Sequence, residues 1–306
     1  MDTENTKRAC VIVRSVGERS EPITIYAIKE NGFFDSNITI IRDVTPFTQT
    51  LRVGYKKALE HGKEYTFFID ADMIVLPGTL ETMISFMDRF PQKTFFMNPL
   101  AYEYTTGTIT PNGPHLYRTE LLKEALTCIP SPGESKRPET FVTKCMYEKG
   151  YENIHVEYPC ALHEFEQDTQ EYCARVIQKY LKSTPIRRRE MQAYIQKKKK
   201  EGNDDFHVMD EALTLAKRER LSNVSVCKGE FDNICTRLFL ESKEPVVSPK
   251  KEYDRLVRNV SEYKNSFMYR GYTKQIMEQS ITGRFRKKQW GVFVRVVRRI
   301  FRFGKE

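Results

Sequence analysis

Two carboxylates one residue apart, Asp70 and Asp72, close the run Tyr65-Thr66-Phe67-Phe68-Ile69. An apolar, β-prone run of this kind reads as a strand covered on both faces. Carboxylates at the tip of such a strand repel each other and resist desolvation, and a cation relieves both costs. Oxygen donors suit hard Mg²⁺ or Mn²⁺, which keep coordination positions open for phosphates. Asp-x-Asp by itself also describes an ordinary surface turn. Here the chain turns at Pro77-Gly78, and Leu80, Met83, Ile84 and Met87 then mark one face of a helix predicted over Thr79–Phe90. That strand, turn and helix give the two acids a metal-binding reading.

The elements that must position them alternate in type. Cys10–Val13 predicts a first strand, followed by the polar turn Arg14–Arg19 and a helix over Glu21–Glu30. Ile38–Ile41 predicts a second strand ending at Arg42-Asp43, and Phe47, Leu51, Tyr55, Ala58 and Leu59 an amphipathic helix stopped by Gly62. The fold class expected is therefore α/β, a mixed and mostly parallel sheet flanked by helices, with ligands at the carboxyl ends of its strands. Arg14, Asp43, Asp70 and Asp72 all fall at such ends. Farther on, the pattern changes to Phe95-Phe96-Met97-Asn98-Pro99, and His115-Leu116-Tyr117-Arg118 leads into a helix containing Leu121, Leu122 and Ala125. The breaker-rich loop Ser131–Pro138 precedes a helix opened by Glu139-Thr140 and ended at Lys149-Gly150. A short strand over Asn153–Tyr158 delivers His163.

Composition sets limits. The 306 residues, 40% hydrophobic, suffice for one large or two modest domains with a real core. Seven scattered cysteines with no close pair point to a reducing cytosol rather than to a disulfide framework or a zinc site. The start of the chain is polar and acidic, not a signal peptide, and no apolar run reaches the length of a membrane span. The expected location is cytoplasmic. Three Asn-x-Ser/Thr sequons, at Asn37, Asn223 and Asn259, then count as chance matches.

Charge is concentrated at one end. Residues 271–306 hold ten Lys or Arg against Glu278 and Glu306, a net +8 of the chain's +9. Within 284–303, Arg295, Arg298, Arg299 and Arg302 form one helical stripe against Trp, Phe, Val and Ile, a composition suited to an anionic membrane surface. A helix docked on the body with a solvated arginine face fits the same pattern. Three regions follow: 1–183, the α/β domain; 184–270, a charged, mainly helical extension; and 271–306, a basic amphipathic tail.

In the order of its landmarks the chain resembles the GT-A glycosyltransferases, in particular the large inverting family of bacterial surface-polysaccharide enzymes. The resemblance covers about residues 8 to 180. It rests on Val11-Ile12-Val13-Arg14, on Phe67–Asp72 with Leu76-Pro77-Gly78-Thr79-Leu80, on Arg137-Pro138-Glu139-Thr140 before a helix, and on His163. It implies a Rossmann-like GT-A domain that transfers sugar from a nucleotide-sugar donor to the hydroxyl of a glycan or lipid-linked acceptor, with Mn²⁺ or Mg²⁺ as cofactor. By resemblance, Asp72 binds the metal, Asp70 the metal or donor ribose, His163 the metal or diphosphate, Asp43 the nucleotide base and Arg14 a donor phosphate. Glu139 is the catalytic base, where a helix start favours the anionic, proton-accepting form. The family pattern is commonly Glu-Asp, whereas this chain has Glu139-Thr140, which leaves Glu134 as a nearby substitute.

Three other classes fit less of the sequence. A haloacid-dehalogenase-like phosphatase places Asp-x-Asp near its N-terminus and follows it with Gly-Thr, not Met73-Ile74. A nucleotidyltransferase carries a Gly-rich N-terminal loop that Ser15-Val16-Gly17-Glu18 does not supply. A nucleic-acid-binding protein would explain the tail but leave Asp70 and Asp72 without purpose, so no nucleic-acid partner is expected.

Overall fold

Ala9–Ser15, seven residues all buried, form strand β1, second from one edge of the sheet. The computed structural model describes residues 4–218 and 242–269. Parallel partners flank β1: β2 (Ile38–Arg42) on one side and β3 (Tyr65–Asp70) on the other. The crossovers are α2 (Glu21–Glu30), after the short α1 (Glu4–Lys7), and α3 (Phe47–His61), whose chain exit at Gly62 is left-handed. Gly54 of α3 lets the helix lie on Phe68, since a Cβ there would sit 2.6 Å from the ring. Near-continuous burial of β1 and β3 is what a parallel sheet covered on both faces requires.

Beyond β3 the sheet turns mixed. After β4 (Met73–Val75) and α4 (Thr79–Met87), the long β5 (Thr94–Glu103) pairs with β6 (Thr108–Thr110), β7 (His115–Arg118) and β8 (Glu152–His163). β7 lies antiparallel between β3 and β5, so that β1, β2, β3, β5 and β8 all run in one direction. The expected mixed, mostly parallel α/β sheet is the observed one. Among the boundaries that differ, the strand predicted over Cys10–Val13 runs from Ala9 to Ser15, the helix predicted to Phe90 ends at Met87, and the strand predicted to stop at Tyr158 continues through Pro159 to His163. β8 absorbs the proline at a register shift against Leu100, where the ladder already breaks.

α5 (Leu122–Ala125) and α6 (Pro138–Glu148) cover one face with α3, and α7 (Thr169–Lys182), α8 (Pro185–Lys200) and α9 (Asp204–Arg218) form a helical cluster around Tyr172, Val176, Ile195 and Phe206. The charged region after 184 is helical as far as Arg218. From residue 242 on, α10 (Pro249–Arg258) packs on α2, α11 (Val260–Ser266) follows, and β9 (Met268–Tyr269) adds a strand to β6. Tyr253, Leu256 and Phe267 thereby join the main core. The basic tail 271–306, with its proposed membrane stripe, and the sequon at Asn223 lie outside the described residues. Among those described, no helix is long and apolar enough to cross a membrane.

The cysteine reading needs correction. Cys128 and Cys145 form a disulfide with Cα atoms 5.8 Å apart, while Cys10, Cys160 and Cys173 are buried thiols outside it. The 17-residue separation hid the pair, because only the packing of α6 against the segment after α5 brings them together. Scattered cysteines therefore no longer argue for a reducing compartment. A closed loop of that length stabilises a fold by about 3 kcal/mol. Cys145→Ser is expected to lower the unfolding free energy by about 2–3 kcal/mol, measured by urea denaturation, with dithiothreitol reproducing the loss in the wild type and adding none in the variant.

Candidate active site

Strand register builds the site. Arg14 is the partner of Asp70 across β1 and β3, His163 the partner of Met73 across β4 and β8, and His163 also the partner of Glu103 across β5 and β8. Asp72, next to Met73, is thus carried to His163, a contact tightened by the Glu164 N–H donating to the Asp72 carbonyl at 2.9 Å. The Ala71 N–H donates to the Arg14 carbonyl at 2.9 Å and pins the turn between the two acids. Ser20 and Thr24 hydroxyls of the first crossover donate to the Ala71 carbonyl. Both faces of the Asp-x-Asp turn are therefore fixed by hydrogen bonds.

A cleft of about 300 Å³ opens at these strand ends, lined by residues that include Arg14, Glu18, Phe47, Asp70, Asp72 and Arg175. Val44 and Thr45 form part of its wall. The expected position at the carboxyl ends of the parallel strands is the observed one.

Each acid already faces a cation. Arg14 Nε donates to Asp70 Oδ1 at 2.6 Å, and its Nη1 to Glu139 Oε1 at 3.1 Å; Arg14 is buried, while Asp70 is 38% exposed. Arg175 Nη1 lies 2.5 Å from Asp72 Oδ2, and His163 Nε2 lies 3.5 Å from the same oxygen. Burial works to raise the Asp72 pKa, but Arg175 and His163 outweigh it and hold the carboxyl well below its ordinary range. For His163 burial favours the neutral ring, and the Glu103 and Asp72 carboxylates overcome it, raising the imidazole well above its usual value. Glu18, bonded by the Val16 N–H and the Ser15 hydroxyl, is raised by burial and by the nearby Asp72 charge.

A second buried acid group stands beside the first. Glu103, His163 and Glu164 bring ligand atoms within 4.8 Å of one another, a set able to hold a metal ion. Lys179 takes up its carboxylates, with Nζ 2.7 Å from Glu103 Oε2 and 2.5 Å from Glu164 Oε2. Glu164 holds this place in a left-handed backbone conformation, φ 62°, uncommon for a residue with a side chain.

Tested against a divalent ion, the residues at Asp72 fit. Asp72 Oδ1 is buried without a hydrogen-bond partner, and the carboxylate is a donor such an ion accepts, as is the His163 ring once it has given up its proton. Asp72 and His163 are brought together as expected. Asp70 shares the cleft but is tied to Arg14. Asp43 is exposed in a left-handed turn, φ 56°, its N–H donating to the Ser15 carbonyl; it stands next to the wall formed by Val44 and Thr45 rather than among the lining residues.

Glu139 reaches the cleft through Arg14. Its Oε1 accepts from Tyr117 Oη at 3.0 Å, and His115 Nδ1 lies at 3.0 Å as an ion-pair neighbour without hydrogen-bond alignment. Burial raises the Glu139 pKa, and Arg14 and His115 overcome it to hold the carboxyl well below its ordinary range. Glu134 caps the exposed loop at Ser131.

Sequence reasoning passed over Glu18, Glu103, Glu164, Arg175 and Lys179. Arg175 and Lys179 did leave a trace: they stand four apart on α7, one helical turn, beside the buried stripe of Tyr172 and Val176.

No family model matches the chain, and no curated protein matches it. Solved structures similar to it include glycosyltransferases and nucleotidyltransferases. S. aureus TarS is 13% identical, over 62% of this chain and 42% of its own, with a TM-score of 0.36. A glycosyltransferase involved in glycosylation of the major capsid of PBCV-1 is 13% identical, over 52% of this chain and 94% of its own, at 0.35. A cytidylyltransferase from Leptospira borgpetersenii is 10% identical, over 63% and 95%, at 0.38. With TM-scores of this size, the reading of the site rests on its own residues.

Glu139→Gln leaves buried Arg14 with Asp70 alone. The expected cost at about pH 7 is about 3 kcal/mol, the low end for a buried pair broken on one side. A carboxyl depressed on folding stabilises above its unfolded pKa, whose ordinary value is 4.5, and loses that contribution as pH falls toward the folded value. The gap between wild type and variant should therefore narrow below about pH 4.5, as followed by urea unfolding across the acid range.

Proposed function

We propose that the chain is a metal-dependent glycosyltransferase that moves a sugar from a nucleotide-sugar donor to an acceptor hydroxyl, with inversion. The observation that carries this reading is the convergence of Asp70, Asp72, Arg14 and Arg175 on one cleft at the carboxyl ends of the parallel strands, with His163 beside Asp72. Asp72 and His163 would hold Mn²⁺ or Mg²⁺, with Asp70 oriented by Arg14 toward the same ion or the donor ribose. When bound, such an ion supplies charge neutralisation for a departing diphosphate.

The remaining chemistry belongs to the chain. Arg14 and Arg175 offer planar forks for phosphate oxygens. The wall of Val44, Thr45 and Phe47, adjoining Asp43, takes the nucleoside, and Phe47 stands 40% exposed with its ring 5.2 Å from the Arg14 guanidinium. Glu139 in its present contacts is a weak base. Turning Arg14 toward a donor phosphate leaves the carboxylate with Tyr117 and His115 and raises its basicity, the condition under which it takes the acceptor proton. The arginine stripe within 284–303 supports a glycan or lipid-linked acceptor presented at an anionic membrane surface, in bacterial glycan or glycolipid assembly.

Calorimetric titration of UDP, GDP, CMP and their sugar conjugates, with and without Mn²⁺, tests the reading. One nucleotide is expected to bind in a metal-dependent manner, and Asp72→Asn to weaken it by on the order of tenfold or more, or about 1.4 kcal/mol. Absence of nucleotide binding under every metal condition, with the protein folded by circular dichroism, would overturn it.

A further inference from the structure

Arg175 and Lys179 are not equivalent. Lys179 is held by two carboxylates and the Thr105 hydroxyl and is not part of the cleft lining. Arg175 does line the cleft, and only Asp72 is close to it: Glu164 Oε1 lies at 3.7 Å and Glu18 Oε1 at 4.0 Å. The acids around this pair are Glu18, Asp72, Glu103, Glu164 and Glu171, and Arg175 and Lys179 face them, with His163 beside Asp72. A divalent ion would contend with the Arg175 guanidinium for Asp72 Oδ2 while finding Asp72 Oδ1 open.

We propose that Arg175 is a displaceable counter-cation, which neutralises Asp72 in the empty cleft, yields that carboxylate to a divalent ion arriving with a diphosphate, and turns its freed fork onto the phosphate oxygens. The exchange rests on the metal and diphosphate reading of the cleft. It needs no large motion, because Arg175 already borders the volume the phosphates would fill. It also separates two roles that a fixed arginine would merge: opposing a bare metal ion and favouring a metal-bound phosphate.

Those opposite signs give the test. Mn²⁺ alone, followed by water proton relaxation, is expected to bind Arg175→Gln on the order of tenfold more tightly than wild type. Inorganic pyrophosphate in the presence of Mg²⁺, followed by calorimetry, is expected to bind the same variant about tenfold more weakly. Lys182→Gln removes the same charge from the same helix without a contact to Asp72 and should leave Mn²⁺ affinity near that of wild type. Equal tightening in Lys182→Gln, no tightening in Arg175→Gln, or unchanged pyrophosphate affinity would each overturn the exchange. If Arg175→Gln fails to fold, Arg175→Met, which keeps an unbranched arm and removes the charge, carries the test with the same signs. Loss of the Mn²⁺ effect while a nucleotide still binds sinks the exchange alone. An intact Mn²⁺ effect without nucleotide binding sinks the transferase reading alone.

Discussion

A carboxylate buried at the tip of a strand must be met by positive charge, and most of the structure around Asp72 follows from that constraint. Asp72 stands in the turn between β3 and β4, and its charged partners are not its neighbours in sequence. They come instead from a strand end ninety residues on, at His163, and from the next helix, at Arg175. The short antiparallel pairing of Met73 with His163 is what makes this possible, and the continuation of β8 past Pro159 is what makes the pairing possible.

The same constraint explains the layering of charge. Arg14 is buried between Asp70 and Glu139, so a cation in the parallel half of the sheet binds the Asp-x-Asp turn to the helix that begins at Pro138. His163 in turn is flanked by Asp72 and Glu103. Acid and base alternate from one element to the next, with buried Glu18 as the exception that feels the Asp72 charge and is met instead by the Val16 N–H and the Ser15 hydroxyl. An alternating arrangement of this kind tolerates removal of a whole pair better than removal of one member, because the residual charge is what the low-dielectric surroundings penalise.

Much of this could be read in the sequence, for physical reasons. The apolar run before Asp70, the Pro77-Gly78 turn and the helical spacing of Leu80, Met83, Ile84 and Met87 are local signals, and such signals located β1, α2, β2, α3, β3 and α4 but not the short β4, which exists only through its pairing with β8. Asp72 and His163 were brought together through the order of landmarks rather than through any spacing rule. Glu103, Glu164, Arg175 and Lys179 were not found, because their meeting depends on β5, β8 and α7 lying side by side, and none has a neighbour in sequence that marks it. The Cys128–Cys145 pair escaped for the same reason. Glu139 was located correctly at a helix start, but its burial against Arg14 is a property of the packed sheet.

The helix carrying Arg175 and Lys179 begins with a reciprocal capping box, in which Asp168 and Glu171 bond each other's backbone, and its inner stripe is locked among Phe206 and Ile195. Both cations project from one turn of this rod. Arg175 and Lys179 are therefore set at a fixed spacing by one packed rod, and their places against the acids are fixed together.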